Sequence, residues 1–286
     1  MAHDKSALKI LQENAAAGDA DAQCGLGKQY EFALGVPMDN KQAAFWLAKS
    51  AEQGNISAQV ELGIVFDRMQ DYAQALVWYR KAADQGNARA EYNLGLVYQD
   101  GEGVPKDMEQ ALAWFQKASD QGDVFALTNL GAIYENGIGT PVDYLKAADL
   151  YRKAAEQGFP GAEYGIGFLY LNGKGVPKDY ALASAWMRKA AEQGETMAQY
   201  DLGTSYINGD GVSRDLVEGY FWILLAKTRT PYSDLKGYAE NSLEQLNGVM
   251  KKSDIRNAQK RAQVWLSQHP PLEYEQHLVR YGSTTP

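Results

Sequence analysis

The chain has 286 residues, enough for one or two compact domains or one extended array. Its 28 basic and 36 acidic residues give a net charge of −8 with no basic block, which makes nucleic acid and anionic membrane surfaces poor default partners. The single cysteine, Cys24, excludes an intrachain disulfide and a thiolate metal cluster, and the longest strongly apolar run, Tyr220 to Ala226, is far too short to span a bilayer.

The N-terminus, Met1 to Ser6, has no apolar stretch like that of a secretory signal. Two localisations remain open: cytoplasmic, or periplasmic and envelope-associated after removal of a signal peptide. Residues 1–18 read as a lone helix, Lys5 to Ala17, closed by Gly18, which forms an N-terminal half-repeat cap. From Asp19 onward a pattern recurs. The pair Leu/Ile-Gly occurs at Gly27, Gly63, Gly95, Gly131, Gly167 and Gly203, at intervals of 36, 32, 36, 36 and 36. A second glycine, at Gly18, Gly54, Gly86, Gly122, Gly158 and Gly194, keeps the same register. Two markers in one register divide 19–230 into six units: 19–54, 55–86, 87–122, 123–158, 159–194 and 195–230.

The third unit shows how each one folds. Ala90, Leu94 and Tyr98 fall four apart, a single stripe on a first helix, with Gly95 beside it where a missing side chain admits a neighbouring helix. Gly101-Glu-Gly103-Val104-Pro105 then breaks the helix. Asp107 is placed to cap a second helix, and Gln110 three residues on makes a capping-box pair with it. That helix carries Ala111, Trp114, Phe115 and Ala118 and stops at Gly122. The aspartate recurs in all six units as Asp39, Asp71, Asp107, Asp143, Asp179 and Asp215. The indole recurs as Trp46, Trp78, Trp114, Trp186 and Trp222, with Leu150 in the fourth unit, and is expected to fill the buried layer between helices.

Departures are local. The second unit, Phe66-Asp-Arg-Met-Gln-Asp71, is four residues shorter and lacks the glycine loop, so a tight turn is expected there. The sixth has Gly219 in place of the second-helix alanine and loses the Lys-Ala-x-x-Gln-Gly ending, which marks the end of the array. Helices at about Ser233 to Met250 and Ser253 to Ser267 follow, forming a C-terminal cap over 231–270 with Trp265 and Leu266 against the last unit; 271–286 is a tail.

The pattern Ala-Glu-Tyr-Asn-Leu-Gly-x-x-Tyr-x-x-Gly-x-Gly-Val-x-x-Asp, then Ala-x-x-Trp-x-x-Lys-Ala-x-x-Gln-Gly, runs from Ala90 to Gly122 and recurs with small changes from Asp19 to Lys227. It resembles the Sel-1-like repeat family, a relative of the tetratricopeptide repeats. The resemblance implies an all-α, right-handed superhelical solenoid of antiparallel helix pairs that serves as an adaptor or scaffold in protein complexes.

Motifs for chemistry are missing. The three histidines, His3, His269 and His277, lie outside the repeats near the termini. The loops at Gly101, Gly173 and Gly209, with Lys106, Lys178 and Arg214 nearby, lack the Lys-Ser/Thr ending of a phosphate-binding loop and follow no strand. No catalytic, cofactor-binding or metal-ligating residue is therefore assigned, and no small-molecule substrate is evident. What remains is a face. Tyr92 lies about 160° around the first helix from Leu94, with Leu96 as its i+4 neighbour. Tyr164 with Phe168, and Tyr200 with Thr204, hold the same positions. Tyr92, Leu96, Tyr164, Phe168 and Tyr200 are thus the candidate partner-binding residues, expected by analogy with tetratricopeptide arrays to line the concave surface. The same tyrosines also suit packing between adjacent repeats.

The leading reading is a non-catalytic bacterial protein-interaction scaffold whose partner is a protein. A sharper version is an immunity or virulence-associated protein that binds one toxin, effector or host protein. The competing class is an enzyme or peptidoglycan-associated protein with a site that no motif reveals.

Overall fold

The computed structural model describes residues 2–269, with side chains from residue 6 onward; the tail at 271–286 and the side chains of His3 and His277 lie outside the described residues. Among the described residues there are fifteen α-helices and no strand. The chain divides between Leu127 and Thr128 into two compact units.

In the first unit, α1 (Ala2–Ala16) packs on α2 (Ala20–Glu31), which pairs with α3 (Asn40–Glu52). Next, α4 (Ile56–Arg68) pairs with α5 (Tyr72–Ala83), and α6 (Ala88–Asp100) with α7 (Met108–Asp120), while α3 packs on α4 and α5 on α6. Helix α8 (Val124–Asn136) spans the division. In the second unit, α9 (Tyr144–Ala155) packs on α10 (Pro160–Asn172), which pairs with α11 (Tyr180–Glu192). Helix α11 packs on α12 (Thr196–Asn208), which pairs with α13 (Leu216–Arg229). Both α14 (Ser233–Val249) and α15 (Lys252–Gln268) pack on α13.

One backbone bond closes every repeat. The Asp107 N–H donates to the Tyr98 carbonyl, and the same bond joins Asp39 to Tyr30, Asp71 to Phe66, Asp143 to Tyr134, Asp179 to Tyr170 and Asp215 to Tyr206, all at 2.8 to 3.0 Å. The side chain of each aspartate then accepts from the first turn of the second helix, as Asp107 does from the Gln110 N–H at 3.0 Å. Each such cap stabilises its helix by roughly 1 kcal/mol over alanine. The reciprocal half of the expected capping box does not form, because the Asp107 N–H is already committed to Tyr98.

The buried layer follows the sequence expectation at Trp78 and Trp222, which are buried, and departs from it at Trp46, Trp114 and Trp186. Trp114 is only half-buried, with Lys117 Nζ 3.9 Å from its ring centre; Phe115 takes the interior place, 0% exposed. At 100° per residue the two side chains diverge, and the second one points at the helix glycine. A Cβ at Gly95 would lie 2.3 Å from the Phe115 ring. At Gly27, Gly63, Gly131, Gly167 and Gly203 it would meet Leu47, Tyr79, Tyr151, Met187 and Ile223 at 2.4 to 3.1 Å. The Trp-x-x-Lys spacing is a cation–π pair, repeated as Trp78 with Lys81 at 3.9 Å and Trp186 with Lys189 at 4.0 Å.

The core is a series of interfaces rather than one centre. Leu47 and Ala51 of the first repeat share a cluster with Leu62 and Val65 of the second, and Val60 and Tyr79 of the second share one with Leu94 and Val97 of the third. Loops interlock as well. Gly103 lies against the start of α5 at Tyr72, Gly175 against the start of α9 at Tyr144, and Gly211 against the start of α11, where a Cβ would sit 1.9 Å from the Tyr180 carbonyl oxygen. Arg80 and Arg188 donate from these preceding second helices to the hydroxyls of Tyr98 and Tyr206. At the C-terminus, Trp265 and Leu266 pack against the cluster of the last repeat, and the Arg229 guanidinium and the His269 ring both lie on Trp265, the latter stacked at 4.1 Å.

The second repeat makes the expected tight turn: α4 ends at Arg68, α5 begins at Tyr72, and Asp71 still reaches Phe66. Gln70 there adopts φ +63°, a left-handed conformation that Gly101 supplies in the third repeat at φ +77°.

Phe115→Ala should cost roughly 3–5 kcal/mol in denaturant unfolding, and Trp114→Ala less than half as much; equal losses would place both rings in the interior. Gln70→Gly, exposed and hydrogen-bonded only through its backbone, should raise stability by up to about 1 kcal/mol by relieving the left-handed backbone, read as a higher midpoint in the same titration.

Candidate functional site

The candidate face is built from the first helix of each repeat, and its residues meet different fates. Tyr92 is buried, at 6% exposure, with its ring 5.7 Å from that of Phe115 and 5.8 Å from that of Phe125. It packs between its own second helix and the following first helix. Leu96, one turn on, is half-buried. In the second unit Tyr164, Phe168 and Tyr200 are all half-buried. Tyr164 and Phe168 lie side by side, with ring centres 6.2 Å apart. Both Tyr164 and Tyr200 rest against the cluster of the last repeat and its cap, and the Tyr200 hydroxyl lies 3.4 Å from Ser242 Oγ on α14.

Around Tyr164 and Phe168 the structure assembles polar groups that sequence reasoning did not select. The Tyr164 hydroxyl donates to Asp201 on α12 at 3.2 Å. Lys174, in the loop after α10, lies 5.0 Å from the Phe168 ring centre and 3.6 Å from Glu135 on α8. Glu135 also accepts from the Tyr151 hydroxyl on α9 at 3.1 Å. The result is a continuous chain of contacts: Asp201, Tyr164, Phe168, Lys174, Glu135, Tyr151.

Burial pushes the Asp201 carboxyl up to about 6, with the Tyr164 hydrogen bond opposing the shift. Burial also raises Glu135, against the Tyr151 hydrogen bond and the Lys174 charge. Burial first, and the Asp201 charge second, raise the Tyr164 phenol well above its ordinary range, so it stays a donor at neutral pH. The arrangement suits recognition: two carboxylates held by phenol donors beside a partly open aromatic surface.

A parallel network lies in the first unit. Lys28 Nζ is 2.9 Å from Glu61, and Arg68 is 3.0 Å from Glu31, whose side chain is 0% exposed. Burial first, and then the Glu61 charge, push Glu31 up to about 7 against the pull of Arg68. Cys24 is buried beside this network, as a packing role requires, and burial raises its thiol.

The basic groups near the glycine loops serve structure. Arg214 Nε donates to the Ile207 carbonyl at 2.8 Å, and Lys178 Nζ lies 4.6 Å from the Tyr180 ring centre. Among the described residues no group of three or more His, Cys, Asp or Glu is arranged to hold a metal ion, and no helix is long and apolar enough to cross a membrane.

The Sel1 repeat profile matches residues 20–55, 56–87, 88–123, 124–159, 160–195 and 196–229. Among solved structures the chain is similar to a protective antigen of uropathogenic Escherichia coli strains displaying an SLR fold, at 35% identity and TM-score 0.81 over 99% of this chain. It spans 60% of the length of that antigen. It is also similar to a Sel1 repeat protein from Oxalobacter formigenes, at 33% identity and TM-score 0.69 over 83% of this chain and 70% of the other. No curated protein matches the chain.

Because Asp201 holds its proton more tightly folded than unfolded, its charge opposes folding progressively as pH rises from about 4, fully above about 6, and not at all well below about 4. Asp201→Asn should therefore raise the melting temperature at pH 7.5 and leave it nearly unchanged at pH 4, with a gain of at most ~3 kcal/mol. A loss at pH 7.5 would show that the carboxylate is stabilising.

Proposed function

Since the chain belongs to the Sel1 repeat family, whose members are typically protein-interaction scaffolds, we propose that it is a non-catalytic adaptor that docks a partner protein on its first-helix face. Both solved relatives are bacterial, and the proposal takes this chain as a bacterial adaptor.

One observation carries the reading. Phe168 remains partly exposed at a repeat position that Lys28, Ile64, Leu96, Ala132 and Thr204 occupy elsewhere, so repeat stacking does not call for an aromatic there. Aromatic anchors beside polar groups that fix orientation are the usual centres of protein interfaces. In the second unit the docking surface comprises Phe168, Tyr164 and the exposed part of Tyr200. In the first unit Leu96 holds the repeat position equivalent to Phe168, with Tyr92 buried one turn before it.

Capture from lysate of the source cells with wild-type protein and with Phe168→Ala tests this. Phe168→Ala should lose about 2 kcal/mol of affinity, roughly thirtyfold in Kd, with the melting temperature nearly unchanged. Leu145→Ala, on an exposed second-helix position, should bind as wild type. A partner that survives Phe168→Ala unchanged would move the interface to the loops or to α14 and α15.

A further inference from the structure

The repeats supply their own comparison for Asp201. Residues 28 and 168 occupy the same place in the first and fifth repeats, and residues 61 and 201 the same place in the second and sixth. In the first unit this pair of positions is Lys28 and Glu61, an ion pair at 2.9 Å. In the second unit the lysine is replaced by Phe168 while the carboxylate is kept as Asp201. Two other inward acids of the first helices have their own cations, Glu31 in Arg68 at 3.0 Å and Glu135 in Lys174 at 3.6 Å, while Glu91 and Glu163 accept from the side-chain amides of Gln121 and Gln193. Asp201 takes part in none of the ion pairs among the described residues; its side chain meets the neutral Tyr164 hydroxyl. A half-buried carboxylate without a cation is costly to keep.

Resting on the docking reading above, we propose that Asp201 receives a cationic side chain, lysine or arginine, from the partner. The incoming cation takes the place relative to Asp201 that the Lys28 ammonium takes relative to Glu61. The Phe168 and Tyr164 rings contribute their faces, to which a cation is drawn. A guanidinium or ammonium there is charge-paired and partly desolvated, the setting in which truncating one partner costs most. The partner segment is therefore basic at this point, with an apolar residue beside the cation to meet Phe168.

A random nonapeptide display library, selected on the full-length protein, is the probe. Enriched peptides should carry Lys or Arg next to an apolar residue. Replacing the arginine by citrulline, which keeps the shape and removes the charge, should weaken binding at least tenfold. Two variants should each abolish the same peptides: Asp201→Asn, which removes the charge, and Phe168→Lys, which supplies the ammonium from within the chain. Circular dichroism melts confirm that each variant is folded. Cationic peptides that bind Asp201→Asn as tightly as wild type overturn the proposal. Enriched peptides without a cation that are lost on Phe168→Ala also overturn it while leaving the docking face standing. Peptides indifferent to both positions, or no enrichment over the Phe168→Ala protein, overturn the proposal and the docking reading together.

Discussion

A missing methyl group sets the geometry of each repeat. Where Gly95 faces Phe115, and where its five counterparts face Leu47, Tyr79, Tyr151, Met187 and Ile223, the bulky side chain occupies the space a Cβ would need. The two helices of a repeat therefore approach closely at one fixed point. The bond from the capping aspartate to the aromatic carbonyl then fixes the path between them. With an approach point and a closed connection, a helix pair has little freedom left.

The architecture was legible because its markers repeat. Glycines, capping aspartates and the aromatic ends of first helices recur in identity, so their period reports the helix pairs directly. The interior was misread for the opposite reason. Trp114 recurs and Phe115 does not, yet the position after the indole is the one that stays buried, as Leu47, Tyr79, Phe115, Tyr151, Met187 and Ile223. That position conserves bulk, and a search for repeated identity passes over it. At Trp78, Trp114 and Trp186 the indole also pairs with the lysine three residues on, whether it is buried, as Trp78 is, or half-buried; Trp222 is buried and has Leu225 there.

The face was legible only in part. Tyr92 and Tyr164 look equivalent in the sequence, but Phe125 on the following helix helps to bury the first, while an aspartate hydrogen-bonds the second. Glu135 and Asp201 gave only a broken periodic signal: Glu31 and Asp67 share the position of the first and Glu61 that of the second, but the fifth repeat holds Leu171 and Gly165 there. In an array with a fixed frame, the informative residues are those that break the pattern on an exposed helix face. Variation at such positions is inexpensive for stacking, so it is where individuality accumulates. The chain thus combines a scaffold that every repeat specifies with a surface that each repeat specifies differently.

The interlocked loops have a direction. Gly103, Gly175 and Gly211 each rest on the start of the second helix belonging to the repeat before. A ribosome delivers the N-terminal repeat first, so each of these three loops emerges after the helix it settles on. Each of these loops meets a finished seat rather than waiting for one. Growth from the other end would leave every loop glycine facing solvent until the following repeat arrived. For these three loops the order of synthesis runs from seat to occupant.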